Sequence, residues 1–150
     1  MSDFKKIVLF QSKQIRRIWH EEEWWFSIID VCAALTDSAN YQKSRKYWNK
    51  LNQRLREESS EVVTFCHRLK LPASDGKNYL TDCANAEGLL RIVQSIPSRK
   101  AEPFKRWLAQ VGYQRIQEIE NPELAQERMK KIYEQKGYSK DWIDKRIRGI

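Results

Sequence analysis

The stretch Ile15-Arg16-Arg17-Ile18-Trp19-His20-Glu21-Glu22-Glu23-Trp24-Trp25-Phe26-Ser27-Ile28-Ile29-Asp30-Val31 decides the fold. Residues 15–20 and 24–28 are rich in aromatic and β-branched side chains, and Glu21 to Glu23 separate them at hairpin length. Alternation along the second run sets Trp24, Phe26 and Ile28 on one face, with Trp25 and Ser27 on the other. Of Trp19, Trp24, Trp25 and Phe26, most are expected in the core. Asp30 stands as N-cap ahead of a short helix over 31–35.

Upstream, Ile7-Val8-Leu9-Phe10 reads as an edge strand. Downstream, 41–57 is an amphipathic helix with Tyr41, Trp48, Leu51 and Leu55 on one stripe. Val62 to Phe65 reads as a strand that 68–71 continue after a bend. Asp75-Gly76 turns the chain into a strand over 77–80, and Thr81 or Asp82 caps a helix over 84–96 that Pro97 stops. Residues 101–119 form the next helix, with Phe104, Leu108, Val111 and Ile119 along one side. Asn121 caps and Pro122 opens another, which closes at Gly137. Ser139 caps a last helix that meets no stop signal before Ile150, so a longer protein is expected. The expectation is α+β: a small N-terminal antiparallel β-sheet with interspersed helices, then a helical C-terminal half. Its divisions are 1–97 and 98–150, the second packed on the first.

Composition narrows the class. Six Trp and six Tyr in 150 residues, with 41% hydrophobic residues, exclude intrinsic disorder. No apolar run nears the roughly 20 residues of a membrane span, and no secretory signal pattern opens the chain. A soluble, cytoplasmic protein is expected, associated with the nucleoid if its ligand is DNA. Twenty-eight basic against 20 acidic residues leave a net charge of +8, which points to a polyanionic partner. Three scattered cysteines (Cys32, Cys66 and Cys83) do not make a disulfide framework. Cys66-His67 lacks the repeated short spacings of a zinc site and reads as a half-buried thiol beside a surface imidazole.

The cations concentrate on the helix over 41–57, which carries six bases and one acid. Lys43, Lys46, Lys50 and Arg54 recur at helical steps on one flank, and Gln42, Asn49 and Gln53 lie beside them. Lys and Arg neutralise phosphates, and amide side chains pair with adenine edges, so this is a candidate major-groove element. Arg45 belongs to the same helix, and Arg16 and Arg17 add charge along the hairpin strand. The Glu21–Glu23 tip would repel phosphates, so any DNA contact of the hairpin is through its strands. Arg99 and Lys100 form a second focus beside Pro97, either a charged interhelix loop or, with Ser98 capping the helix that follows, a set of free N–H groups that suits a phosphate. The bases from Arg128 to Arg148 are interleaved with acids and read as a solvated face.

Catalysis finds no comparable pattern. There is no phosphate-cradling glycine loop and no nucleophile elbow, and His20 and His67 have no spaced acidic partners. Glu57, Glu58 and Glu61 read as an acidic patch at a helix end. Glu118, Glu120, Glu123 and Glu127 surround Asn121-Pro122, where Glu123 complements a helix dipole. No enzyme activity, metal or cofactor is expected.

Ile15-Arg16-Arg17-Ile18-Trp19, Trp24-Trp25-Phe26-Ser27-Ile28 and Asp30-Val31 carry a resemblance. With Tyr47-Trp48-Asn49-Lys50-Leu51 in the basic helix and Thr81-Asp82 before the next, they resemble the Bro-N domain. That domain is the N-terminal module of phage and prophage antirepressors and baculovirus repeated-ORF proteins. Residues 94–109 and Asn121-Pro122-Glu123-Leu124-Ala125 are similar to the bacterial DNA-damage-inducible protein D group, which carries a Bro-N domain. Arg99 stands where that group more often has Pro, and the group's polypeptide continues past a region like 146–150. The resemblance implies DNA binding and interference with repressors or the DNA-damage response, and implies no catalytic residues. Two functions follow: a module binding DNA, double-stranded ahead of single-stranded, or a protein-interaction module that captures a repressor or a recombination protein. For the second, the acidic stretch from Glu118 to Glu127 would serve as a DNA mimic or an internal counter-charge.

Overall fold

In a computed structural model, residues 15–36, 40–58 and 66–149 are described. Their order is β1 (Arg17–His20), β2 (Glu23–Ser27), α1 (Ile28–Thr36), α2 (Tyr41–Glu58), β3 (Cys66–Pro72), β4 (Asn78–Asn85), α3 (Ala86–Gln94), α4 (Glu102–Glu120), α5 (Glu123–Gln135) and α6 (Lys140–Arg148). The four strands form one antiparallel sheet in the order β1-β2-β4-β3. The architecture is the α+β arrangement expected, a curled sheet with helices followed by a helical half. The strands expected over 7–10 and 62–65 lie outside the described residues.

The hairpin loop is one residue shorter than expected, because Glu23 joins β2 and pairs with His20. Glu21 and Glu22 both have positive φ, 51° and 65°. That is the backbone of a two-residue type I′ connection, whose twist matches the strands it joins. Glycine or asparagine is the usual choice there, and an L side chain in this region costs about 1 kcal/mol. Glu22→Gly is therefore expected to stabilise the protein by about 1 kcal/mol. A rise in melting temperature with an unchanged circular dichroism spectrum would bear this out, and a fall would mean the loop has another geometry.

Both faces of the sheet carry buried side chains. Phe26 and Ala84 join the main core with α1, α2 and α3, built from residues such as Ile28, Val31, Trp48, Leu51, Leu89 and Ile92. On the opposite face Trp25, Leu71 and Cys83 form a smaller cluster against which Ile18 and Leu69 pack. Trp19 and Trp24 are exposed, contrary to expectation. They pair with each other across the hairpin, and β2 meets β4 only from Trp25 onward, so β4 does not extend beside Trp24.

Local capping explains the helix starts. Ser27 Oγ accepts from the Asp30 N–H at 3.3 Å, so α1 begins at Ile28 and Asp30 lies in its first turn rather than at its cap. Asn40 Oδ1 accepts from the Gln42 N–H at 2.8 Å and opens α2. That helix buries Ser44, Trp48, Leu51 and Leu55. Tyr41, expected on this stripe, is exposed, and Ser44 takes the inward place one turn on. Gly76, at φ 82°, makes the turn between β3 and β4. Thr81 and Asp82 do not cap a helix; pairing with β3 holds them in mid-β4. The cap of α3 is Asn85, whose side chain accepts from the Gly88 N–H at 2.8 Å.

The chain divides into two compact units between Arg106 and Trp107. Ala101 and Phe104 belong to the core of the first unit. In α4, Leu108 is half-buried while Val111 and Ile119 are exposed, so the expected apolar side is covered only at its start. Within the second unit, Glu118 is buried and ion-paired with Arg128. Tyr133, Tyr138 and Trp142 cluster, with Tyr138 stacked on Trp142 at 4.2 Å. Pro122 occupies the N-cap position of α5, while the Asn121 N–H closes α4 by donating to the Gln117 carbonyl. Gly137 ends α5 at φ 89°, and Ser139 caps α6 as expected. The last helix stops at Arg148, with the Gly149 N–H donating back to the final turn.

All three thiols are free. Burial pushes Cys32 and Cys83 up to about 12 and Cys66 to about 11. The thiolate is the reactive form, so native protein near pH 8 should react slowly with a disulfide reagent. Half-buried Cys66 should react first, and all three should react at once in denaturant; rapid labelling of Cys32 in the native state would contradict this packing.

Candidate nucleic-acid interface

Burial of Trp48, Leu51 and Leu55 sets the rotation of α2, so residues half a turn away face water. Lys43, Lys46 and Lys50 are exposed there and take part in no ion pair among the described residues. Gln42, Asn49 and Gln53 are exposed on the same outer surface. Arg54 departs from this ridge. Its guanidinium donates to the Ser95 carbonyl at 2.8 Å and stands 4.0 Å from Glu58, so it ties α2 to the end of α3.

Arg16 is a structural clamp and not a free cation, contrary to expectation. Its Nε and Nη2 donate to the two Asp30 oxygens at 2.8 and 3.1 Å, and its Nη1 donates to the Pro72 carbonyl at 3.1 Å. The Arg16 backbone N–H also donates to Asp30, at 2.9 Å. The Asp30 hydrogen bonds hold the guanidinium charged above its usual range. Asp30→Ala leaves this part-buried cation without its partner and should cost about 2–3 kcal/mol, read from urea unfolding. A loss below about 0.5 kcal/mol would mean the pair is no better than a surface bridge. Arg17 is exposed on β1, with its guanidinium 4.2 Å from the centre of the Trp24 ring.

Arg99 and Lys100 are exposed in the loop before α4. Ser98 anchors that loop by donating to the Leu35 carbonyl, and its Oγ accepts from the Lys100 N–H at 3.2 Å. The helix begins at Glu102, so Ser98 does not present a ring of free N–H groups to a phosphate as the sequence suggested.

The other flank of α2 borders a cleft of about 870 Å³. Arg45, Asn49 and Arg56 line it from the helix, Arg68 from β3, and Arg16 from the segment before β1. Two carboxylates sit among these cations. Asp30 takes Arg16, and Asp82 accepts from Trp48 Nε1 at 2.8 Å while lying 3.5 Å from Arg68. Arg68 and Arg56 were not among the expected contact residues. Arg68 reaches the cleft through the register that sets it opposite Asp82, a long-range pairing with no local signal. In the acidic stretch that runs from the end of α4 into α5, Glu118 is buried against Arg128 and is not a free surface carboxylate.

The geometry is therefore a basic helix packed on α1 and tied to mid-β4 through Trp48, with lysines outward and Arg45 and Arg56 toward a cleft. The family model for the BRO family, N-terminal domain, matches residues 14–112. The chain belongs to that family, and the matched span takes in the whole sheet and helices α1 to α3. Bro-N domains occur in phage antirepressor-like, DNA-binding regulatory proteins. Neither a curated protein nor a solved structure matches the chain. Among the described residues, no helix is long and apolar enough to cross a membrane.

Proposed function

We propose that this chain is a non-enzymatic module that binds duplex DNA through the outer ridge of α2, with Arg17 and Arg45 contributing at its borders. The observation that carries the reading is the ridge itself: Lys43, Lys46 and Lys50 exposed, without ion-pair partners among the described residues, and interleaved with amide side chains. The helix is 18 residues long. At about 1.5 Å per residue it has the length and the width to lie in a major groove. The likeness of 94–109 to the DNA-damage-inducible protein D group supports a role in prophage or DNA-damage regulation at the nucleoid.

A mobility-shift titration with duplex and single-stranded DNA at several salt concentrations tests it. Three lysines and two arginines on phosphates give a log–log slope of about −4.5 for duplex DNA. Duplex should bind more tightly than single strand. A flat salt response would end this reading. The second reading, a module that captures a repressor or recombination protein, is favoured by Val111, Ile116 and Ile119 lying exposed on α4. Retention of one such protein without any duplex shift would favour it.

A further inference from the structure

The chain has two histidines, His20 and His67, and the fold brings both to one place. They lie on β1 and β3, which stand at opposite ends of the strand order. The sheet curls over Trp25, so the two imidazole centroids are 6.3 Å apart. His67 stacks on the Trp25 indole at 4.3 Å and 19°, and His20 meets the same ring edge-on at 6.2 Å. Trp25 Nε1 donates to the His20 carbonyl at 3.0 Å, which fixes the end of β1 against that indole. Glu21, held at positive φ in the hairpin loop, places a carboxylate oxygen 3.5 Å from His20 Nε2. One donor atom from each of His20, Glu21 and His67 lies within 4.8 Å of the other two.

We propose that His20, Glu21 and His67 bind one divalent transition-metal ion of the zinc class. Two imidazoles and one carboxylate form a borderline donor set that suits zinc, cobalt, nickel or copper and does not suit magnesium or calcium. A tetrahedral ion about 2.1 Å from each donor spaces the donors by roughly 3.4 Å. His20 and Glu21 already stand at that separation, and no pair of the three donors lies more than 4.8 Å apart, so small side-chain shifts complete the site. The Trp25 stack pre-orients the His67 ring, and the open side of Glu21 leaves a fourth position for water. Cys66 is not a ligand, because its side chain packs against the main core on the other face of the sheet. A bound ion would clasp β1 to β3 and offset most of the negative charge that Glu21, Glu22 and Glu23 give the hairpin tip. The inference does not depend on the DNA-binding reading.

The test uses the untagged full chain with histidine rings labelled for NMR, near neutral pH in a non-coordinating buffer. Only two imidazole signals exist, so zinc chloride should shift both together and reach an end point at one equivalent. Magnesium chloride should shift neither. By titration calorimetry, His20→Gln and His67→Gln should each weaken zinc roughly 100-fold and Glu21→Gln roughly tenfold, while Cys66→Ser changes nothing. Histidine signals that stay fixed, or that move independently, would overturn the proposal. So would zinc affinity that survives His20→Gln, or that disappears with Cys66→Ser. If His67→Gln fails to fold, the wild-type spectrum and the His20→Gln titration at the hairpin end decide alone.

Discussion

Lys46→Glu combined with Lys50→Glu is expected to lower duplex affinity roughly 100-fold at moderate salt. The same double variant should reduce the salt slope by about 2, because two phosphate contacts have gone. Both side chains are exposed and make no ion pair among the described residues, so no contact of the described fold depends on their charge. The melting temperature should stay within a degree or two, which separates lost binding from lost structure. Lys46→Gln with Lys50→Gln removes the charge without adding repulsion and should cost roughly tenfold, so the two variants together distinguish neutralisation from reversal. Unchanged affinity in a folded Lys46→Glu, Lys50→Glu protein would move the DNA contact off α2. The cleft arginines, Arg45 and Arg56, would then be the next candidates.

Replacing Trp48 with alanine should cost about 4 kcal/mol, the range seen when a large buried aromatic is emptied to a cavity. Trp48 is 1% exposed and packs in the main core between α2 and its neighbours. Its indole N–H also donates to Asp82 at 2.8 Å, linking the helix to mid-β4. Typical domains have only about 5–15 kcal/mol to lose, so urea unfolding should show a midpoint displaced far toward zero. Trp48→Phe separates the two contributions. It keeps most of the volume and drops the hydrogen bond, leaving Asp82 with Arg68 3.5 Å away, and should cost about 1–2 kcal/mol. A Trp48→Ala protein of near-native stability would mean that α2 is not held by this side chain, and the orientation of its lysine ridge would need another cause.

The helix and the hairpin were legible because their signals are local. Trp48, Leu51 and Leu55 share one helical stripe, and the glutamates at 21–23 interrupt two runs of strand formers. The lysine ridge was legible for the same reason, as it is the complement of that stripe. What stayed hidden depends on partners distant in sequence. Thr81 and Asp82 look like caps until β3 pairs beside them, and Asn85 then takes that task. Arg16 reads as a surface cation until Asp30, fourteen residues later, is brought against it. Arg68, Asp82 and the two histidines converge only when the sheet curls, and periodicity carries no record of curvature.

The two-sided covering of β2 has an implication for folding fidelity. Trp25 and Phe26 are both buried, on opposite faces, so sliding the strand by one residue would exchange one large aromatic for another and meet little apolar penalty. Ser27 breaks that degeneracy. It is fully buried, and its hydroxyl accepts the Asp30 N–H that starts the following helix. Ser27 is also tied across the hairpin to Arg16, whose Nη2 donates to its hydroxyl at 3.4 Å and whose carbonyl accepts its N–H at 2.9 Å. A slipped alignment would break these contacts, so a single small polar side chain acts as the punctuation mark that tells the hairpin where to stop.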